Sequence, residues 1–318
     1  MKTIYNKKID FFFIQFPIIF PFLYSLILFG TNGYETILVF TTIFLLSETH
    51  FGATWPILFY SFKHKEFLSE NVQAIAGSLF IIISASICFF LFRNTFYLVF
   101  FIFNLFHVTK QSFGICKLFN ENKKELQFQN IYIYSVNIIY LFLAFLNFNI
   151  SSVEIKILHN IGFILLIFFL LILLIQYYFF KNIVNIFTTL SGILIFLPVC
   201  FVDKPIHAIL LGVTMHYSQY ILLTFKVYIS RKNKTYSLRN RISLNLFKNN
   251  FIASILIYSS FMTIFSLFGQ STFNILNNLI IIPLIAQLLH FYLDGFIWKF
   301  RNKYNRIHTL KHLYEKLL

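Results

Sequence analysis

Four histidines, His50, His107, His216 and His290, each lie inside a long apolar run and each has polar neighbours at helical spacing. In "NLFHVTKQSFG", steps of three and four residues join Asn104, His107, Lys110, Gln111 and Gly114 into one stripe, because residues so spaced share a helix face. In "MHYSQY", Gln219 and Tyr220 follow His216 by three and four residues; in "QLLHFYLDGFIWK", Gln287 and Asp294 flank His290 at minus three and plus four. In "SETHFG", Glu48 and His50 stand two apart, about 200° around a regular helix, so both can serve one centre only where the helix is distorted.

These residue types suit a bound ion in a low-dielectric interior. A neutral imidazole buries no charge, and a carboxylate is compensated by the cation it holds. The expected metal ligands are therefore His50, His107, His216, His290, Asp294 and Glu48, with Asp294 either a ligand or a support that orients an imidazole through its second nitrogen. Imidazole and carboxylate without thiolate fit a divalent iron, zinc, copper or manganese ion. Iron, favoured here over zinc, would bring oxygen chemistry to a lipid-soluble substrate, whereas zinc would bring hydrolysis through an activated water. Lys110, Gln111, Gln219 and Tyr220 are the expected catalytic side chains. A lysine at such depth calls for a partner, Glu48 or Asp294.

The elements that must position these residues are set by composition. At 58% hydrophobic, 12% charged and mean hydropathy +0.75, the chain is far more apolar than a soluble domain, in which about 25% of residues are charged. The reading is an all-α transmembrane bundle: a single integral membrane domain over residues 1–318, with a basic loop at 228–249 and a basic tail at 299–318. Ten spans are expected, at 11–30, 37–62, 72–92, 96–117, 129–149, 158–179, 182–202, 205–227, 250–269 and 272–298. The basic N-terminus precedes an apolar run without a small-residue cleavage site, which reads as a retained first helix. Cys88, Cys116 and Cys200 sit singly in apolar segments and form no metal or disulfide pattern.

Charge gives an orientation, because cytoplasmic loops collect Lys and Arg. With ten spans, 22 of the 26 basic residues fall on the side of both termini and three, Arg93, Lys156 and Lys204, on the other. Both termini are therefore expected to be cytoplasmic, and the net charge of +15 needs no nucleic acid. The stretch Lys226 to Lys248 reads as a topology determinant in contact with anionic lipid.

Ionisable groups within spans are costly and usually functional, and here they concentrate on the even-numbered spans. Counted from the cytoplasmic ends, His50, His107, His216 and His290 share a depth of roughly 12–18 Å, near the bilayer midplane. Four histidines on four helices at one depth are expected to converge on one centre. His159 and His207, near outer span ends, and His64, His308 and His312, in basic cytoplasmic segments, read as surface or structural. Trp298 and Lys299 read as an interfacial anchor.

The motifs H-x-x-K-Q-x-x-G (His107 to Gly114), H-Y-x-Q-Y (His216 to Tyr220) and H-F-Y-x-D-x-x-I-W (His290 to Trp298) are similar to those of uncharacterised bacterial multi-pass membrane proteins. That resemblance covers spans 4, 8 and 10 and implies a bacterial inner-membrane location without an activity. Membrane desaturases and hydroxylases carry clustered histidine boxes, and no such box occurs in the apolar spans here. Brp/Blh-type carotene dioxygenases resemble the chain in architecture only, as multi-pass proteins with dispersed histidines for iron. The expected function is an intramembrane, non-haem metal oxidoreductase or oxygenase acting on a lipid or isoprenoid, with membrane lipids, a hydrophobic substrate and an electron donor as partners. The competing expectation is a proton- or metal-ion-coupled transporter that uses the same residues, with Pro56, Pro205 and Pro283 interrupting spans.

Overall fold

The computed structural model describes residues 3–30, 33–149, 155–235, 241–269 and 274–314, without the side chains of 149, 155–156, 232–235, 241–248 and 274–275. It is all-α, with no strand among the described residues. The principal helices are α1 (Lys7–Gln15), α2 (Ile19–Gly30), α3 (Glu35–Phe62) and α4 (Val72–Leu91), then α5 (Arg93–Phe119), α6 (Lys123–Asn149) and α7 (Ile155–Phe180). They continue with α8 (Ile183–Leu194), α9 (Pro205–Thr235), α10 (Arg241–Phe268) and α11 (Ile281–Ile297). Among the described residues eight helices are long and apolar enough to cross a membrane, or up to nine if the bent pair α1–α2 is one span. The chain is a multi-pass integral membrane protein.

The packing is that of a protein solvated by lipid. Large apolar side chains face outward, Phe80, Tyr178 and Phe179 each being at least 70% exposed. Asn137, Gln176, Asn185 and Thr188 are buried inside. That inversion works because helices satisfy their backbone internally and need only apolar groups toward acyl chains.

Two of the ten expected spans depart from a single straight helix. The first, expected at 11–30, is bent by 53° between α1 and α2, where Pro17 cannot donate to a helical ladder. The seventh, expected at 182–202, is the 12-residue α8 followed by a 3₁₀ turn at Leu197–Cys200 that contains Pro198. The expected loop at 228–249 is helical at both ends, since α9 runs to Thr235 and α10 begins at Arg241; residues 236–240 lie outside the described set.

The chain divides into two compact units, one of residues 1–42 and 105–219, the other of 43–104 and 220–318. The first is held by polar struts. Gln129 on α6 donates to Asn185 O (3.0 Å) and Thr189 Oγ1 (2.8 Å) on α8, and Asn137 donates to Gly192 O at 3.2 Å. Buried Glu125 accepts from Gln176 at 3.0 Å and Asn185 at 2.6 Å, tying α6, α7 and α8 together. Gly212 brings α9 against the end of α8: a Cβ there would lie 1.8 Å from Ile195 O.

In the second unit α11 packs on α4 at Gly77, where a Cβ would lie 1.9 Å from the Tyr292 hydroxyl. Tyr292 donates across this contact to Gln73 O at 2.7 Å. Ala85, Phe89 and Phe96 form an apolar cluster against Ile281, Leu284 and Leu288. Ala53, Tyr220, Phe251 and Ile255 form another. The C-terminal residues 303–313 fold back onto this unit, with Arg231 donating to His308 O and to Thr309 Oγ1 (2.7 Å), and Tyr304 stacking on His308 at 4.4 Å.

Candidate metal centre

In the second unit the polar residues of α3 and α11 meet. Immediately before Glu48, α3 widens into a π turn over Ile43–Ser47, and a turn at Ala53 ends the segment Glu48–Gly52. The Phe44 carbonyl within this turn accepts from Ser259 on α10. Such turns are rare and gather at functional sites. Gly52 allows close packing of α10, since a Cβ there would lie 2.9 Å from the Tyr258 ring.

The segment Glu48–Gly52 is itself α-helical, and Glu48 and His50 reach α11 at different points along it. Glu48 Oε1 accepts from Gln287 Nε2 at 2.9 Å. The His50 ring stands edge to face with that of His290, three residues further along α11, at a centroid distance of 4.6 Å.

His290 is wholly buried (0% exposed) and its ring is fixed on both sides. Nδ1 lies 2.6 Å from Thr54 Oγ1, and Nε2 lies 3.7 Å from Asp294 Oδ2, one turn along the same helix. Asp294 Oδ1 accepts from Tyr220 OH at 2.5 Å and from Thr54 Oγ1 at 3.4 Å, and the two hydroxyls are 2.7 Å apart. Tyr220 closes the cage, its ring 4.7 Å from His50 and 5.2 Å from His290. Trp298 packs on Tyr220 at 5.9 Å, so the expected interfacial anchor is also a wall of this cage.

In the first unit His107 and His216 are both buried and their rings stand edge to face at 5.6 Å. In the second unit the buried imidazoles of His50 and His290 offer nitrogen donors that could hold a metal ion. His290 Nε2 and Asp294 Oδ2 stand 3.7 Å apart, slightly wider than the roughly 3.0–3.6 Å between two ligands held at about 2.1 Å from one ion.

Other expected site residues are placed differently. Lys110 is exposed, on the outward stripe of α5 with Phe103 and Phe106 (53% and 52% exposed). The expected stripe of α5 thus divides, with His107 inward and Lys110 outward, where a long stem can lie along apolar surface. Lys110 is therefore not the buried, carboxylate-paired lysine that its depth in the sequence implied. Gln111 is half-buried one turn from His107. Gln219 belongs to the frame of the first unit, donating to Ile14 O at 2.7 Å and Ser191 Oγ at 3.2 Å. Thr54, the bridge among His290, Tyr220 and Asp294, was missed in the sequence, although it stands four residues after His50 on a helix carrying two other site residues. His207 is buried as well, bonded to Tyr24.

No protein-family model, curated protein or solved structure matches the chain.

Proposed function

We propose that the protein is an intramembrane metal-dependent oxidoreductase that acts on a lipid or isoprenoid chain at a histidine and carboxylate centre, in the inner membrane of a bacterium with both termini cytoplasmic. The observation that carries this reading is the buried pair His290 and Asp294, oriented by Thr54 and Tyr220 and faced by His50. His50 and His290 are the proposed ligands in the second unit, with Asp294 completing the set and Glu48 supporting α11 through Gln287. In the first unit His107 and His216 form a buried imidazole pair.

A bound iron would supply oxygen activation, and its electrons would come from a separate donor. The side chains themselves hold the site. Thr54 and Tyr220 place three hydroxyl contacts around Asp294 and His290, and supporting bonds of this kind set ring orientation and ligand basicity. Phe51 and Phe291, whose rings lie 5.1 and 5.8 Å from His290, supply apolar walls against which an acyl or isoprenoid chain can lie.

One observation favours a proton- or ion-coupled transporter instead. The first span is broken by 53° at residues 16–18, and broken helices are frequent in transporters.

Elemental analysis of the detergent-purified protein, beside His50→Ala and His290→Ala, separates the two readings. Near-stoichiometric iron in the wild type that is lost in both folded variants supports the oxidoreductase. Zinc in its place moves the chemistry to hydrolysis. A folded wild type that neither carries a metal nor takes one up on reconstitution refutes the metal centre and leaves the transporter.

A further inference from the structure

The first unit contains a second polar line that the metal centre does not use. His207, in the first turn of α9, is 3% exposed. Its Nδ1 lies 2.8 Å from the hydroxyl of Tyr24 on α2, itself 4% exposed. On the other side of the ring, Nε2 lies 3.6 Å from Glu35 Oε2 at the start of α3. Glu35 in turn pairs with Lys204, and these two side chains are 45% and 62% exposed. A surface carboxylate, a buried imidazole and a buried phenol thus stand in sequence, each in reach of the next.

A packing strut would require only the bond between Tyr24 and His207. It would not require an imidazole whose second nitrogen turns to an exposed carboxylate. An imidazole with a partner on each nitrogen can accept a proton at one and release a proton from the other. The distance from Nε2 to Oε2 is one that a rotamer change of the half-exposed Glu35, or one water, closes.

We propose that Glu35, His207 and Tyr24 form a proton relay from the solvent-exposed end of the first unit into its interior. In the inward step the Glu35 Oε2–H bond breaks as Nε2–H forms on neutral His207. The Nδ1–H bond breaks as a new O–H forms on Tyr24, whose former hydroxyl proton is taken up by a water molecule on its inner side. Glu35 is left as the carboxylate, ready to take the next proton from water, and both His207 and Tyr24 return neutral. Lys204 acts as the latch: its pairing holds Glu35 ionised and turned outward, and protonation of Glu35 releases it. The titratable groups that meet His207 are Tyr24 from α2, Glu35 from α3 and Lys204 from the turn before α9. By the distribution of basic residues this end is the outer one. The inward direction runs along α9 toward the buried Tyr217 and His216. The relay needs no metal, so it stands or falls separately from the metal centre.

The test follows deuteration of the Tyr24 hydroxyl by infrared spectroscopy after the full-length protein in nanodiscs is mixed with D2O. The Tyr24 band is the component that Tyr24→Phe removes. His207→Gln keeps a hydrogen bond to Tyr24 but cannot carry a proton between two nitrogens, and is expected to slow deuteration roughly 100-fold, the usual scale of a positioned proton carrier. Glu35→Gln is expected to slow it less and to abolish its dependence on pH. In His207→Ala, added imidazole is expected to restore the rate. Unchanged Tyr24 exchange in folded His207→Gln overturns the relay. So does slowed exchange in folded His207→Ala that imidazole fails to restore, because a structural role predicts that result.

Discussion

Thr54 Oγ1 lies 2.6 Å from His290 Nδ1 and 2.7 Å from the Tyr220 hydroxyl, so one small side chain on α3 fixes an imidazole on α11 and a phenol on α9. It is fully buried, and water cannot replace it without space being made. Thr54→Val keeps the shape and removes the oxygen. The expected result is a folded protein whose metal affinity falls about 10- to 100-fold, the usual cost of losing a ligand's supporting bond, measured by competition with a chelating dye. Unchanged affinity would mean that His290 is oriented by packing alone.

Tyr220→Phe removes the donor to Asp294 Oδ1 and leaves the ring contacts with His50, His290 and Trp298. A buried hydrogen bond to a charged group contributes about 1.5–3 kcal/mol, so thermal unfolding in detergent should report a loss of that order. Tyr220→Leu should cost more, because it also empties the cage. Equal losses in the two variants would assign Tyr220 to packing rather than to the carboxylate.

Gly77→Ala places a methyl group 1.9 Å from the Tyr292 hydroxyl and 2.4 Å from its ring carbon. Overpacking of this kind costs about 1–3 kcal/mol, read as a lowered unfolding temperature. The added substitution Tyr292→Ala should recover part of the loss by vacating the space. A double variant no more stable than the sum of its parts would show that α4 and α11 are not held apart by this contact.

Lys110 and Gln219 offer a paired comparison, since both were expected to be catalytic. Lys110→Gln, on the exposed stripe of α5, should leave metal content and stability unchanged within about 0.5 kcal/mol. Gln219→Leu strips donors from Ile14 O and Ser191 Oγ in the first unit. It should cost about 1–3 kcal/mol by orphaning buried groups, while metal content is retained. Metal loss in Lys110→Gln would restore it to the site.

Much of the architecture was legible because lipid imposes a simple rule on composition, and apolar runs near bilayer length became the long helices. What escaped was local. Pro17 and Pro198 mark the two expected spans that the structure breaks, but a proline alone does not say whether a helix bends or ends. Shared depth put four histidines at one level, a property that one-dimensional counting along helices preserves, but not which ring faces which: His50 meets His290, and His107 meets His216. The facing of Lys110 did not, because a stripe built from steps of three and four spans more than 100° of a helix and has two edges. Thr54 was hidden for another reason: threonine is common in apolar helices, where it bonds to its own backbone as Thr49 does to Leu45 O at 2.7 Å, so its type alone carries no signal.

The second unit is assembled from the two far ends of its own synthesis. Thr54 and His290 bond across 236 residues of chain, and Arg231 is covered by the chain's last helical turns. At about 5–20 residues per second, α3 enters the bilayer roughly 10–50 s before α11 exists. Throughout that interval Glu48 and Thr54 are without the α11 partners that later satisfy them, in a solvent that offers none. A ribosome stalled before α11 therefore leaves a recognisable lesion, an apolar helix with an unmet carboxylate, which is the kind of defect that membrane quality control can detect.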